Sequence, residues 1–494
     1  MRVKDWNSEY EHLKDLFLSQ HQVLAGQSFQ VFRTDEFEDE SYNLKSVKIT
    51  QGIDGFIEDI SASIEIDNFR GDYNETICGK EIRYIVGMSG GNRGEEGYGK
   101  VLIPAITVFR GFVGSAECLL PEKLIRLENE SKMKELAKQN IASSEIFQNL
   151  SLYEALCSRI LFQKLGLQYN IIRPTQDDSQ LLEYFWYDGD ISANIRLLVE
   201  ANGGAFYYND FLEYYTFSSD ASLGRKLDPN YRGTHGFTIH SLNCFEVKKE
   251  EDVEAVRNEI VVKIHKFAPT ETHVLWSATG QSILGTGVYP DPPHQSWVAD
   301  FNLQTIGQEI ESSSVPCISV CQIQPYTDYV VNTHEDGSGG DMTGHVTVGQ
   351  QQNYVKRTFF DLWSDIWGEL YLTKLQVRGK PLIDSVTSMT FTDAASIAAY
   401  GTRSHVLDNI WIQGLTQAEK IGNIILDKYK KPATKIKVRM PFFPMVQVND
   451  VVGLSYPGID PWGYLVEYTE HIKEINRAET TLILGRTICG LTEV

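Results

Sequence analysis

Residues able to do chemistry are scattered along this 494-residue chain, and their spacings fit none of the familiar reaction centres. The segment 334–345, HEDGSGGDMTGH, gathers Glu335, Asp336 and Asp341 among glycines. Hard carboxylate oxygens on a loop are calcium chemistry, but this spacing matches no EF-hand and is a single, imperfect relative of a glycine–aspartate β-roll repeat, so a solvated loop is expected. The glycine-rich stretch 89–99 lacks the G-x-x-x-x-G-K-[ST] spacing that would aim backbone amides at phosphate and reads as a hairpin tip. His265, His273 and His294 show no H-E-x-x-H or comparable zinc spacing, and no G-x-S-x-G nucleophile elbow occurs. Asp188 with Asp190, or Asp361 with Asp365, could serve as the two carboxylates of a glycosidase, yet among 66 acidic residues such pairs arise by chance. Cys317 and Cys321 in CISVC could share one face of a strand, but a metal or iron–sulfur role needs two further ligands. No catalytic, cofactor-binding or metal-ligating residue is therefore assigned, and no enzyme is expected.

Composition narrows the classes further. A hydrophobic fraction of 42% and a charged fraction of 22% are ordinary for a folded protein, and the length calls for three or four domains. The formal charge of −21, spread along the chain with only short basic patches, argues against tight nucleic-acid binding. An acidic wall would instead let a polyanion slide past by repulsion. No apolar run approaches the roughly 20 residues of a membrane span, and the first residues lack the apolar core of a secretory signal, so synthesis and retention in a cytosol are expected. Seven widely spaced cysteines suit reduced, mostly buried thiols.

The elements that would position these residues can be read in order. Residues 1–25 carry Leu13, Leu16, Phe17 and Val23 as the apolar side of a short helix. Ala62, Ile64 and Ile66 alternate with Ser63, Glu65 and Asp67, the pattern of a half-buried strand, and 82–86 and 101–113 read as further strands. The polar stretch 128–140 reads as a connecting helix or linker. Ser151 and Glu154 form an S-x-x-E capping box before a helix that closes at Gly166. A second helix, 192–201, stops at Gly203 and Gly204 and is followed by AFYYNDFLEYYTF, a β-hairpin turning at Asn209 and Asp210. Its aromatics could form a sugar-binding platform, but packing in a core is the expected role. Strands resume with 258–264 and continue, broken by Gly, Pro and Ser turns, to about 373.

The region 371–484 has a strand, a turn-rich FTDAASIAAYGTR, a helix and a β-meander. Thr416 and Glu419 read as a capping box, with Ala418, Ile421, Ile425 and Tyr429 along one face of a helix that ends near Lys431, before Pro432. Ile436, Val438 and Met440 alternate with Lys435, Lys437 and Arg439. Three further strand-like runs follow at 451–454, 464–468 and 480–484, with a turn at Asn449 and Asp450.

In this order the residues resemble a known family, the central hub proteins at the tip of long phage tails and in contractile baseplates. The matching set is 375–382 (LQVRGKPL), then Asp393, Ser396, Ile397, Tyr400, Gly401 and Arg403, then 409–412, the helix with Ala418 and 421–426, and the strand 448–452. VFRGFVGSAE near the amino terminus, and the middle helix, glycine pair and hairpin, are similar to the family as well. The resemblance implies an α+β, mainly β fold with two small β-barrel-like hub domains near the termini and α/β and β-rich middle domains. The corresponding divisions are an amino-terminal helix 1–25, a first hub domain 26–125, a helix and hairpin domain 126–240, a β-rich domain 241–373 with a possible insertion, and a second hub domain with a helix, 374–494. It also implies a homotrimer that adapts a sixfold tail tube to a threefold tip around a DNA-exit channel. Its partners would be the tail tube or distal tail protein, a spike, fibre or tip protein, and the tape measure protein. It would reside in the virion after assembly in the bacterial host cytoplasm. The alternative reading is a tail-associated protein that binds or degrades cell wall or polysaccharide.

Overall fold

The computed structural model describes residues 23–486 except 34–35, 40–43, 55–56, 68–76, 90–100, 120–122, 142, 168, 173–180, 210–213, 219–236, 279–280, 287–294, 307–313, 444–445, 447, 449, 460–462 and 475–476. Seven strands open it: β1 (Val23–Arg33), β2 (Glu36–Asp39), β3 (Leu44–Asp54), β4 (Ile57–Asp67), β5 (Glu81–Ser89), β6 (Val101–Leu119) and β7 (Leu124–Ser131). Their amphipathic alternation is the reason they stack. Val47 and Ile49 of β3, Ile60, Ala62, Ile64 and Ile66 of β4, and Ile125 and Leu127 of β7 are buried with Tyr84, Phe109 and Val113 in one core. The alternation expected at 62–67 is therefore observed. Of the expected helix 1–25, residues 1–22 lie outside the described residues, and 23–25 open β1 instead. Residues 90–99 of the glycine-rich stretch are likewise outside.

The stretch 128–140 differs from expectation. Its first part completes β7, and only α1 (Lys132–Ala137) is helical. The buried positions at this end of β7 are Asn129 and Ser131, and the Asn129 amide donates to the carbonyls of Ala62 at 2.9 Å and Leu127 at 3.1 Å. A polar inward side chain with its own hydrogen bonds hides the period of two.

In the middle of the chain, Glu154 N–H donates to Ser151 Oγ at 3.1 Å and Ser151 N–H donates to Glu154 Oε2 at 2.9 Å, the reciprocal bonds of a capping box. The helix continues as a π-helix, Glu154–Lys164, and closes at Gly166, whose φ of 67° suits glycine. Next comes α2 (Ile191–Asn202), capped by Asp190, which accepts from Ser192 N–H at 2.8 Å, and ended by Gly203. The hairpin strands β8 (Ala205–Asn209) and β9 (Tyr214–Ser218) follow. Phe206, Tyr207, Tyr208, Tyr215 and Phe217 are all buried, so these aromatics are core.

The remaining labelled elements are β10 (Phe237–His240), β11 (Glu246–Asp252), β12 (Glu259–Pro269), β13 (Trp367–Thr392), α3 (Ala394–Tyr400), β14 (Ser404–Leu407), α4 (Leu415–Tyr429), β15 (Ala433–Pro441), β16 (Val451–Ser455), β17 (Gly463–Lys473) and β18 (Ala478–Arg486). Strands between β12 and β13 pack with the first half of β13 around their own core of Leu275, Ile283, Phe301, Tyr329, Phe360, Leu372 and neighbours. The second half of β13 pairs with β12, on which α4 packs.

The start of α4 corrects the sequence reading. Its N-cap is Gly414, without a side-chain cap, and Thr416 and Glu419 lie inside the helix. Gln417, three residues after the cap, takes the reciprocal role: its Oε1 accepts from Gln413 N–H at 3.1 Å, and its Nε2 donates to the carbonyls of Ala201 and Trp411, each at 2.9 Å. The end, at Tyr429 with Lys430 as cap, agrees with expectation.

One long sheet unites both ends of the chain, in the order β11-β15-β18-β17-β3-β4-β7-β6-β5-β1-β2, with β8, β9, β10 and β16 among its side branches. The joint is β17 against β3, antiparallel, with His471 opposite Ile49 and Glu470 opposite Thr50. The carboxyl-terminal core of Ile436, Val438, Met440, Val452, Leu454, Leu482 and Leu484 thus adjoins the amino-terminal one through paired strands. The fold is mainly β, and among the described residues the helices lie in the middle and in the region before β15.

Candidate functional site: a polar face across the terminal sheets

Directly opposed residues of antiparallel strands share a face. Following the register from β11 gives the row Glu246, Arg439, Thr481, Glu470, Thr50, Ser61, Glu130 and Phe112, one residue from each of eight strands. Parallel to it run Lys48, Ser63, Glu128 and Ser115, and then Ser46, Glu65, Arg126 and Glu117. These are the wet halves of the same alternations that bury Ile49, Ile64 and Leu127. The face is therefore a necessary product of two amphipathic sheets joined in register.

Its charges are interleaved and paired. Lys48 Nζ lies 2.8 Å from Glu470 Oε1, across the joint between the two ends of the chain. Arg126 reaches Glu65 Oε1 through Nη2 at 2.9 Å and Nε at 3.1 Å, while Ser46 donates to Glu65 Oε2 at 2.9 Å and Ser63 to Glu128 at 2.7 Å. Arg439 bridges Glu246 at 3.1 Å and Glu479 at 2.9 Å. The hydrogen bond it donates to Glu470 holds the Lys48 ammonium above its ordinary pKa, Arg126 is raised likewise by Glu65, and Arg439 holds the Glu479 carboxyl below its usual range. A shallow depression of about 390 Å³ lies here, lined by Lys48, Thr50, Ser61, Ser63, Arg126 and Glu128. Cations already tied to carboxylates make a poor phosphate track, because binding a polyanion would have to break each pair.

The opposite face carries Val113, Asn129, Ala62, Ile49, His471, Thr480 and Met440 in register. His471 is fully buried, and that burial pushes its pKa down to about 4. Val446 O can only accept, so Nε2 carries the ring proton and donates to it at 3.0 Å. Thr480 Oγ1 accepts from Phe443 N–H at 2.8 Å and turns its own proton to His471 Nδ1 at 2.9 Å. This chain of bonds ties Phe443 and Val446 to the joint.

The residues that resemble the hub family form a structural tie rather than a reaction centre. Asn258, fully buried, donates to Gly401 O at 2.8 Å and Ser396 Oγ at 3.2 Å and accepts from Arg403 N–H at 2.7 Å. Asp393 caps α3 through Ser396 N–H at 2.9 Å, and Lys430 lies 3.6 Å from Asp393. Asn409 donates to Leu197 O at 2.9 Å and Glu200 Oε2 at 2.8 Å, fastening this region to α2. Asn258 and Asn409 were not singled out as anchors by the sequence, because a buried asparagine leaves no periodic signal.

Several of the other residues weighed for chemistry have structural partners. Asp336 accepts from Ser338 N–H at 2.9 Å and Asp341 from Thr343 N–H at 2.9 Å, so both carboxylates fold their own loop and are held below their usual pKa by those serine and threonine bonds. His265 sits between Asp384 at 2.6 Å and Asp408 at 2.9 Å, and Lys263 lies 2.5 Å from Asp408. His273 opens the strand that pairs with Gly379, and His294 lies outside the described residues. Asp188 faces Lys356 at 3.8 Å, Asp190 caps α2, and Asp365 faces His345 at 3.1 Å, while Asp361 opposes Ser296 on a different sheet position, so neither acidic pair is drawn to a common cleft. The Cys317 thiol donates to Ser319 O at 3.0 Å and Lys380 O at 3.2 Å, and burial pushes its pKa up to about 12. Among the described residues no group of three or more His, Cys, Asp or Glu is placed to hold a metal ion.

No protein-family model matches the chain, and no curated protein does so by sequence. Solved structures do match it. A 43 kDa tail protein of prophage MuSo2 from Shewanella oneidensis aligns with 94% of this chain and 99% of its own at 10% identity and a TM-score of 0.49. A tail protein from Neisseria meningitidis aligns with 93% of this chain and 97% of its own at 9% identity and a TM-score of 0.48. Prophage tail protein gp18 from Listeria monocytogenes covers 93% of this chain and 94% of its own at 11% identity and a TM-score of 0.44.

Proposed function

We propose that this chain is a structural, non-enzymatic component of a phage tail tip or related particle. In this reading it is a homotrimeric hub that joins the sixfold tube to the threefold tip and lines the DNA-exit channel. The observation that carries the reading is the polar face, which runs in one register across eight strands and both terminal cores with its lysines and arginines tied to carboxylates. A channel wall for DNA must be wetted by water yet offer no free row of cations, and a face on which Lys48, Arg126 and Arg439 are each tied to carboxylates that outnumber them, on a chain of net charge −21, meets both needs. The ordered family-like residues support it from another side. Asp393, Ser396, Gly401 and Arg403 are spent on a buried tie at Asn258, which is architecture and not chemistry.

In this reading the tail tube or distal tail protein meets one face of the ring, a spike, fibre or tip protein the other, and the tape measure protein enters from the tube. The site of action is the virion tail tip, reached after assembly in the bacterial cytoplasm. The five divisions 1–25, 26–125, 126–240, 241–373 and 374–494 remain the proposed domain plan.

Native mass and electron-microscope class averages of one purified sample test the proposal. A threefold ring near 168 kDa, three copies of 55.9 kDa, is expected. A monomer that hydrolyses purified cell wall would replace the hub with the alternative of a wall-degrading tail protein.

A further inference from the structure

We propose that the two open edges of one small sheet, β13 at one side and β14 at the other, pair with each other between neighbouring copies of this chain. The inference rests on the cyclic oligomer proposed above and names its seam.

The sheet has β12 at its centre, with β13 antiparallel to it on one side and β14 parallel on the other. The direction of the backbone groups follows from two bonds. His265 N–H donates to Ile412 O at 2.8 Å and Glu259 N–H to Arg403 O at 3.3 Å, both away from β13. In an antiparallel ladder such residues belong to non-hydrogen-bonded pairs, and so do their opposites, Val386 and Thr392. By the same alternation Val386, Ser388 and Thr390 turn both N–H and C=O to the outer side. Residues 384–388 are all exposed, and among the described residues β12 is the one strand paired with 384–392.

Natural sheets blunt such an edge with lysine, proline or a bulge. This edge, DSVTSMTFT, has no lysine, arginine or proline and one charge, Asp384. It is rich in β-branched residues and ready to accept a strand.

Three features point to a second copy as the occupant. The two edges belong to the same sheet, so head-to-tail neighbours present them to each other without any rearrangement. They run in opposite directions, because one is antiparallel and the other parallel to β12, so the new ladder would be antiparallel. The apolar exposure matches as well. Val386 opposes His265 and Val406 opposes Val261, and these two β12 residues are four apart and on one face, so Val386 and Val406 project from the same face at opposite edges. They are 49% and 53% exposed in the single chain, and the seam would cover both.

The test uses the full chain. Ser388→Pro removes an N–H that the chain's own ladder does not use, and the pair Val386→Lys with Val406→Lys charges both edges without touching the core. Sedimentation is expected to show the wild type as a trimer and each variant as a monomer, with an unchanged far-ultraviolet circular dichroism spectrum. A second readout is the double variant Val386→Cys with Val406→Cys. On mild oxidation it is expected to give chains linked up to three on a denaturing gel, where either single variant does not. A trimeric wild type whose variants remain trimeric, and whose cysteine pair does not link, overturns the seam and leaves the trimer standing. A wild type that is monomeric throughout overturns both.

Discussion

His471 accepts, at Nδ1, the hydroxyl proton of Thr480 across 2.9 Å, a bond that only the neutral ring can take. The pair sits in the row that joins the carboxyl-terminal sheet to Ile49. Burial depresses the His471 pKa from 6.5 to about 4, so between those values the unfolded chain takes up a proton that the folded chain refuses. Stability is therefore complete above about pH 6.5 and falls as the pH drops toward 4, by about 3 kcal/mol in all. Denaturant unfolding midpoints at a series of pH values should show this slope, and His471→Asn should flatten it. Equal slopes in the two proteins would remove His471 as its source.

Gly422 lies on the face of α4 turned to β13, where an added Cβ would meet the Phe391 ring at 2.3 Å. Helix propensity favours alanine over glycine by about 1 kcal/mol, but a wedge against a packed ring costs more. Gly422→Ala is expected to lower stability by about 1–3 kcal/mol. A stabilised variant, measured by chemical denaturation, would show that the ring yields freely.

Asn258→Ala strips three bonds from a fully buried site and leaves Arg403 N–H and Gly401 O without this partner. The expected loss is about 3 kcal/mol. Protection of the α3 and β14 amides from hydrogen exchange should fall with it. An unchanged exchange pattern would mean that the tie is redundant.

The polar face predicts weak DNA binding that charge reversal can create. The wild type should not retain duplex DNA at physiological salt, while Glu65→Lys combined with Glu470→Lys removes the hydrogen-bonded carboxylates of Arg126 and Lys48 and adds two cations. Binding by the double variant should weaken steeply as salt rises. Tight binding by the wild type would contradict a low-friction wall. Each broken pair is at the surface and should change stability little.

Local patterns in the sequence were good guides where one face of an element is uniformly apolar. The strand at 62–67, the Ser151 and Glu154 cap, the Gly203 stop and the Ile436, Val438, Met440 alternation all follow from neighbours in the chain. They faded where polar groups go inward. Asn129 hides the end of β7, and Gln417, bonded to Ala201 more than 200 residues away, displaces the expected Thr416 and Glu419 cap. The polar face itself was half visible. Its alternations could be read strand by strand, but nothing in a period of two says that Thr50 will stand beside Glu470. The open edge of β13 was hidden for the same reason, since an unpaired side is a property of the sheet and not of the strand.

The joint between β3 and β17 also sets a clock. Thr469 donates to Gln51 across 418 residues of chain. At translation rates of about 5–20 residues per second, β3 must wait roughly 20–80 s for its partner to be made. During that interval β3 exposes a strand edge, in a cell where other copies are being synthesised on neighbouring ribosomes, and so is open to the wrong strand. Deletion of the last strands should therefore yield insoluble aggregates, not a stable smaller protein. The same delay means that no copy can offer the completed sheet to another chain before its own synthesis is nearly done.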